Sequence, residues 1–149
     1  MDAVEQLVAA LKNKNPNVRA QAAIALGEIK DRRSVKHLIS IAKDRDAFVR
    51  ASVVQALGRI KDSKVFDTLL SALQDESVEV RRNAARAWYN DVWPRYPDEV
   101  EGLIAALEDR DAEVRQSADA SEEYNFSICS LMSLGISVEI FFSGISGGV

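Results

Sequence analysis

The chain repeats nearly the same phrase three times, and this restricts its fold more than any other feature. Val18 to Ile29 reads VRAQAAIALGEI, Val49 to Ile60 reads VRASVVQALGRI, and Val80 to Val92 reads VRRNAARAWYNDV. The Val-Arg pairs at 18/19, 49/50 and 80/81 are spaced by 31 residues, and a fourth pair, Val114-Arg115, follows after 34. A period in this range marks a stack of one supersecondary unit. Such a unit cannot bury its apolar face alone and does so against its neighbours.

Each unit reads as two helices. In the first, Val4, Leu7, Val8 and Leu11 take the i, i+3, i+4, i+7 spacing of one helical face. The pattern breaks at KNKNPN, where Asn15 is predicted to cap the second helix and Pro16 to open it, since proline has no N–H to lose there. The second helix is expected from Pro16 to about Lys30. Its inward face would be Val18, Ala22, Ala25, Leu26 and Ile29, and its outward face Asn17, Ala20, Gln21, Ile24 and Glu28. Asp46, Ser77 and Asp111 repeat the position of Asn15 and are predicted to cap in the same way. First helices are expected again at 34–43, 64–74 and 98–108, with Ser34 and Asp98 able to cap two of them. Links of about three to five residues leave antiparallel neighbours as the simplest arrangement, a row of helical hairpins.

The third unit departs from the pattern. Trp88 stands where Leu26 and Leu57 stand, and Tyr89 replaces Gly27 and Gly58, whose missing side chains let neighbouring helices close up. Pro94 and Pro97 in NDVWPRYPDEV force an extended connection. A local change of stacking angle is expected there. Trp93 and Tyr96 would then lie near the surface or cover the end of an enlarged core.

The stretch DRRSVKHLISIAKDRDAFVRASVVQALGRIKD combines an Asp-rich turn, an apolar first helix, Asp-x-Asp, Val-Arg, an Ala-rich segment and Leu-Gly-x-Ile. In this it resembles the short HEAT-like repeat first associated with phycobilin lyase subunits. The resemblance covers residues 2–118, with units at about 2–30, 31–61, 62–95 and a partial fourth at 96–118. It implies an all-α fold, a right-handed α-solenoid of antiparallel helical hairpins. It also implies, as one alternative, a chromophore-transfer role that usually involves a second subunit. Such folds host scaffolds, inhibitors, chromophore lyases and some nucleic-acid enzymes, so the fold does not name a function.

Composition narrows the classes. Residues 1–118 hold all 19 Lys and Arg and 19 of the 23 acids, so the repeats are neutral overall and lack the basic excess that marks a nucleic-acid binder. The single cysteine, Cys129, excludes an intramolecular disulfide, and MDAVEQLV has no basic stretch before an apolar run, which points to a cytoplasmic location. His37 is the only histidine and has no His or Cys at metal-ligand spacing, so no metal, cofactor or catalytic residue is assigned. LGEI and LGRI place single glycines within helices, which is no phosphate loop. Arg19, Arg50, Arg81 and Arg115 recur beside acids, including Asp44, Asp75 and Asp109, and are expected to bridge successive units and fix their register.

The outward face of the second helices is the candidate binding surface. In such stacks it lines the concave side of the superhelix. Aligned by 31 residues, its rungs are Asn17, Ala20, Gln21, Ile24 and Glu28, then Phe48, Ala51, Ser52, Gln55 and Arg59, then Glu79, Arg82, Asn83, Arg86 and Asn90. These positions differ from rung to rung while the inward ones repeat, as a surface customised for a protein partner would. Phe48 would be the aromatic anchor, flanked by Ser52, Gln55, Arg59, Arg82, Asn83 and Arg86. A second reading takes Arg59, Arg82 and Arg86 as a local phosphate-binding stripe beside Trp93 or Tyr96.

Residues 119–149 change character. Asp119, Glu122 and Glu123 replace inner-face positions, and NFSICSLMSLGISVEIFFSGISGGV has no Lys or Arg and is rich in Ser and Gly. Three readings stay open for this tail: a membrane anchor, an irregular cap over the last repeat, or a non-native, frameshifted and poorly ordered terminus. Glu139 and the many Ser and Gly weigh against the first.

Overall fold

A computed structural model of the protein describes residues 1–91 and 109–119. Helices α1 (Ala3–Ala10) and α2 (Pro16–Ile29) form the first hairpin. Next come a 3₁₀ turn (Arg32–Ser34) with α3 (Val35–Ser40), and α4 (Ala47–Ile60). The pattern recurs in a 3₁₀ turn (Ser63–Val65) with α5 (Phe66–Ala72), and in α6 (Val78–Asp91). α7 (Ala112–Asp119) follows. The described residues contain no strand. Helices α2, α4 and α6 are each 14 residues long and start 31 residues apart, so the sequence period is the period of the stack. This is an α-solenoid. The side chains of Trp88 and Tyr89, the aromatics Trp93 and Tyr96, the helix expected at 98–108 with its cap Asp98, and the tail from residue 120 all lie outside the described residues.

Helix starts follow the sequence closely. The Asn15 side chain accepts the Asn17 N–H, Asp46 accepts those of Phe48 and Val49, and Asp111 accepts those of Glu113 and Val114. Ser34 does not cap. Asp31 takes that role for the 3₁₀ turn, and the Ser34 hydroxyl donates to the Asp31 carbonyl, because the turn begins three residues before the α-helix proper. Both long helices end on a lysine with positive φ, Lys30 at 57° and Lys61 at 56°. This left-handed C-terminal residue stops the helix and turns the chain toward the next acid-capped turn.

The second helices pack directly on one another in the order α2, α4, α6, α7, whereas α1, α3 and α5 touch mainly their own hairpin partners. A second helix is therefore covered from three sides, by its own first helix and by the helices before and after it. This corrects the expected faces. Ala20, Ala51 and Ser52, expected outward, are buried, while Val18 and Ile29, expected inward, are 37% and 46% exposed. Their counterparts one unit later, Val49 and Ile60, are 0% and 6% exposed. The difference is that α4 has α2 in front of it, and no described helix lies in front of α2. A single amphipathic stripe does not describe a helix buried on three sides.

Gly27 and Gly58 set how close the helices come. A Cβ placed on Gly27 would lie 2.7 Å from the Ala56 backbone Cα, and one on Gly58 would lie 2.6 Å from the Ala87 Cβ. Replacing a helical glycine by alanine ordinarily stabilises by about 1 kcal/mol. At Gly27 the added methyl meets backbone, and overpacking of this kind costs about 1–3 kcal/mol. Gly27→Ala is accordingly expected to lower the urea unfolding midpoint, and a raised midpoint would show that α2 and α4 are not in contact at this point.

Candidate functional site

The repeated arginines form a directional ladder along the stack. Arg19 Nε and Nη2 donate to the two Asp44 carboxylate oxygens at 2.8 and 2.9 Å, Arg50 makes the same fork with Asp75 at 2.9 and 3.0 Å, and Arg81 with Asp109 at 2.6 and 3.1 Å. The remaining amino group, Nη1, donates backward to carbonyls of the arginine's own turn: Asn13 and Lys14 for Arg19, Asp44 and Arg45 for Arg50, and Asp75 and Glu76 for Arg81. Each aspartate also accepts the N–H two residues on, of Asp46, Ser77 or Asp111, which shapes the turn before the next long helix. One guanidinium thus ties two consecutive inter-helix turns together. The planar fork suits the bidentate geometry, which a lysine could not reproduce.

These pairs are nearly withdrawn from solvent. At Asp44, burial pushes the carboxyl up, but Arg19 and the Asp46 N–H outweigh it and hold it below its ordinary value. At Asp109, Arg81 is the main cause of the same lowering. A carboxylate with a depressed folded-state pKa contributes stability that is present above its unfolded pKa, about 4, and is lost as pH falls through the folded value. The melting temperature read by circular dichroism is expected to hold from neutral pH to about 4 and then drop, and less steeply in Asp109→Asn, where the titrating group is gone. A profile flat to pH 2 would remove the ladder carboxylates from the account. Arg50→Ala leaves Asp75 and two turn carbonyls without their donor and should cost about 2–4 kcal/mol in urea unfolding. A loss below about 0.5 kcal/mol, normal for a surface change, would show the ladder to be incidental.

Of the seven residues predicted to bind a partner, four remain on the surface. Phe48 is 50% exposed near the start of α4, with Gln55 and Arg59 two and three turns further along, and Arg86 is exposed on α6. The spacing of seven and four residues keeps Phe48, Gln55 and Arg59 on one side of α4. Arg59 Nη1 lies 3.7 Å from Glu28 Oε1 in a solvated pair. Arg86 pairs with Glu113.

The other three are engaged inside the stack. Ser52 is buried and its hydroxyl donates to the Phe48 carbonyl at 2.8 Å, so its placement on the binding surface is corrected: α4 meets α2 at this position. The half-buried Asn83 donates its amide to the Ala51 carbonyl at 3.0 Å, which joins α6 to α4. Arg82 forks onto Asp111 at 2.9 and 2.8 Å and also meets Glu113 at 3.2 Å and Glu79 at 3.7 Å. Sequence reading did not single out Asp111, Glu113 and Glu28 as partners of these arginines. The signal available for Asp111 was its place one residue past the ladder step from Arg81 to Asp109.

On the opposite side, α3 and α5 are separated by a cleft of about 720 Å³ lined by Lys43, Asp44, Asp67, Ser71 and Asp75 among others. Second helices in contact and first helices held apart bend the row toward the second helices, which places Phe48 on the concave side. Asp44 and Asp75 in the cleft belong to the ladder. Among the described residues no group of three or more His, Cys, Asp or Glu is arranged to hold a metal ion, and no helix is long and apolar enough to cross a membrane.

Comparison with known proteins bears on the architecture. The family model for HEAT repeats matches residues 1–57 and 35–121. No curated protein matches the sequence. Among solved structures, an engineered protein superposes with a TM-score of 0.65 at 23% identity, over 81% of this chain and 61% of that one, so this chain spans less than two thirds of its length. The complex of CpcE and CpcF of phycocyanin lyase from Nostoc sp. PCC7120 superposes with a TM-score of 0.62 at 26% identity, over 85% of this chain and 79% of that one. With the ladder, the glycine contacts and the 31-residue stack already established, the match across most of its length makes this chain a member of the HEAT repeat family.

Proposed function

We propose that the chain is a non-catalytic protein-binding module that engages a partner through the concave row of its second helices, within an array spanning residues 2–118. One observation supports this most: Phe48 keeps half its surface in water at the middle of a row whose neighbouring charges are already paired. An exposed ring gains when an interface closes over it, and aromatic anchors ringed by polar contacts are the usual centre of such interfaces. Gln55, Arg59 and Arg86 would supply the polar rim. Arg82 and Asn83 would hold the rim's geometry, because their hydrogen-bonding groups are used within the stack. Membership in a family built for extended surfaces, and likeness to a structure described as a two-subunit complex, support the same reading.

The likeness to the phycocyanin lyase complex favours a second reading, a chromophore-transfer subunit. A phosphate-binding role is disfavoured because Arg82 and Arg86 already face Asp111 and Glu113. An affinity pull-down from the source extract with the whole chain separates these. Phe48→Ala and Phe48→Ala with Arg86→Ala are expected to cut capture of a specific protein at least tenfold, as loss of about 2 kcal/mol at a hot spot would. Their helical circular dichroism should be unchanged, and capture should vary little with salt. Equal capture by all three baits would sink the concave-face reading. A coloured adduct on adding bilin would support the second reading.

A further inference from the structure

The first repeat presents an end face that the rest of the chain shows how to read. Val18 and Ile29 on α2 are partly exposed, and Leu7 on α1 and Ala25 on α2 are half-buried. Their counterparts Val49, Ile60, Leu38 and Ala56 are all buried, because in each later repeat this face lies against the preceding long helix. Gln21 extends the likeness: it stands where Asn83 stands, and Asn83 uses its amide to reach a carbonyl of the preceding helix. The face of α2 thus continues the interface that α4 makes with α2 and α6 makes with α4.

Its charges differ from that interface in one respect. The position that holds the ladder acid as Asp44, Asp75 and Asp109 holds Asn13 in the first repeat. Asn13 still accepts the Asn15 N–H at 2.9 Å, so the turn is kept while the charge is lost. Lys14 stands where Glu76 gives Arg50 its second carboxylate. An incoming helix that offered a ladder arginine would find a neutral amide and a cation. The end of this chain's own array is such a helix: on α7, Arg115 Nη1 donates to the Asp109 and Arg110 carbonyls, and no carboxylate takes its other edge among the described residues. The first repeat brings no such arginine, since Arg19 is already turned toward Asp44.

We propose that this face docks a second copy of the chain about a two-fold axis, α2 against α2. An apolar, neutral stripe is complementary to itself. A two-fold contact also closes at two copies, whereas head-to-tail stacking of repeats leaves open ends and grows. Asn13 and Lys14 select the first arrangement over the second by leaving the arginine of a head-to-tail neighbour without a carboxylate.

The test is sedimentation and light scattering of the full chain over a range of concentrations. The wild type is expected to associate to a dimer and no further. Ile29→Glu and Val18→Glu should each raise the dimer dissociation constant at least tenfold without altering the helical spectrum. Both side chains are partly in water already, so the monomer tolerates them. Arg115→Ala and Asn13→Asp should leave the dimer unchanged. A wild type that sediments as a monomer at every concentration overturns the proposal, as does a dimer insensitive to Val18 and Ile29. Open-ended growth that Asn13→Asp strengthens and Arg115→Ala weakens would establish the head-to-tail contact in its place.

Discussion

The fork by which each long helix's arginine grips the aspartate of the next repeat is the interaction on which the remaining structure depends. It joins two turns that are 25 or 28 residues apart in sequence, and it does so at the one place where a hairpin stack could slip. Apolar packing between long helices is nearly indifferent to a shift along the axis by one turn, because alanines recur along the contact. A bidentate ion pair that is nearly withdrawn from water is not indifferent. Its desolvation is offset only when all its donors and acceptors meet, and the two carbonyls behind each arginine complete that set. The ladder therefore contributes more to register than to net stability, and apolar burial supplies the driving force.

Register in turn decides what the surface can be. Once the long helices are locked at contact distance by Gly27 against Ala56 and Gly58 against Ala87, positions next to the glycine contacts are enclosed whatever their chemistry. Ala20, Ala51 and Ser52 are enclosed in this way, and Arg82, at the place of Ala51, has to meet Asp111 on the following helix. What stays free to vary is a narrow strip on the concave side. In that strip Phe48 is the one large apolar side chain, and its neighbours have settled their charges among themselves. A surface that is electrostatically satisfied but carries one half-exposed ring is suited to a partner that brings its own apolar pocket, and poorly suited to one that brings phosphates.

The period of 31 residues, the caps at Asn15, Asp46 and Asp111, the ladder arginines with their acids and the role of the two glycines were all legible in the sequence. Each depends on local chemistry or on identity repeated at a fixed interval, and neither needs a third dimension to be seen. The sequence alone likewise determined the class of fold, since a hairpin that recurs with short links has few ways to bury its stripe other than on its own copy. Which residues share a face was decided by the tertiary structure. A periodicity argument assigns a helix one buried side, and the long helices here have three, so Ser52 moved inward while Val18 and Ile29 moved out. Only the packed stack shows that Arg82 and Arg86 answer to Asp111 and Glu113, because those pairs form between helices whose facing sides are set by the stacking angle and not by the order of residues along the chain.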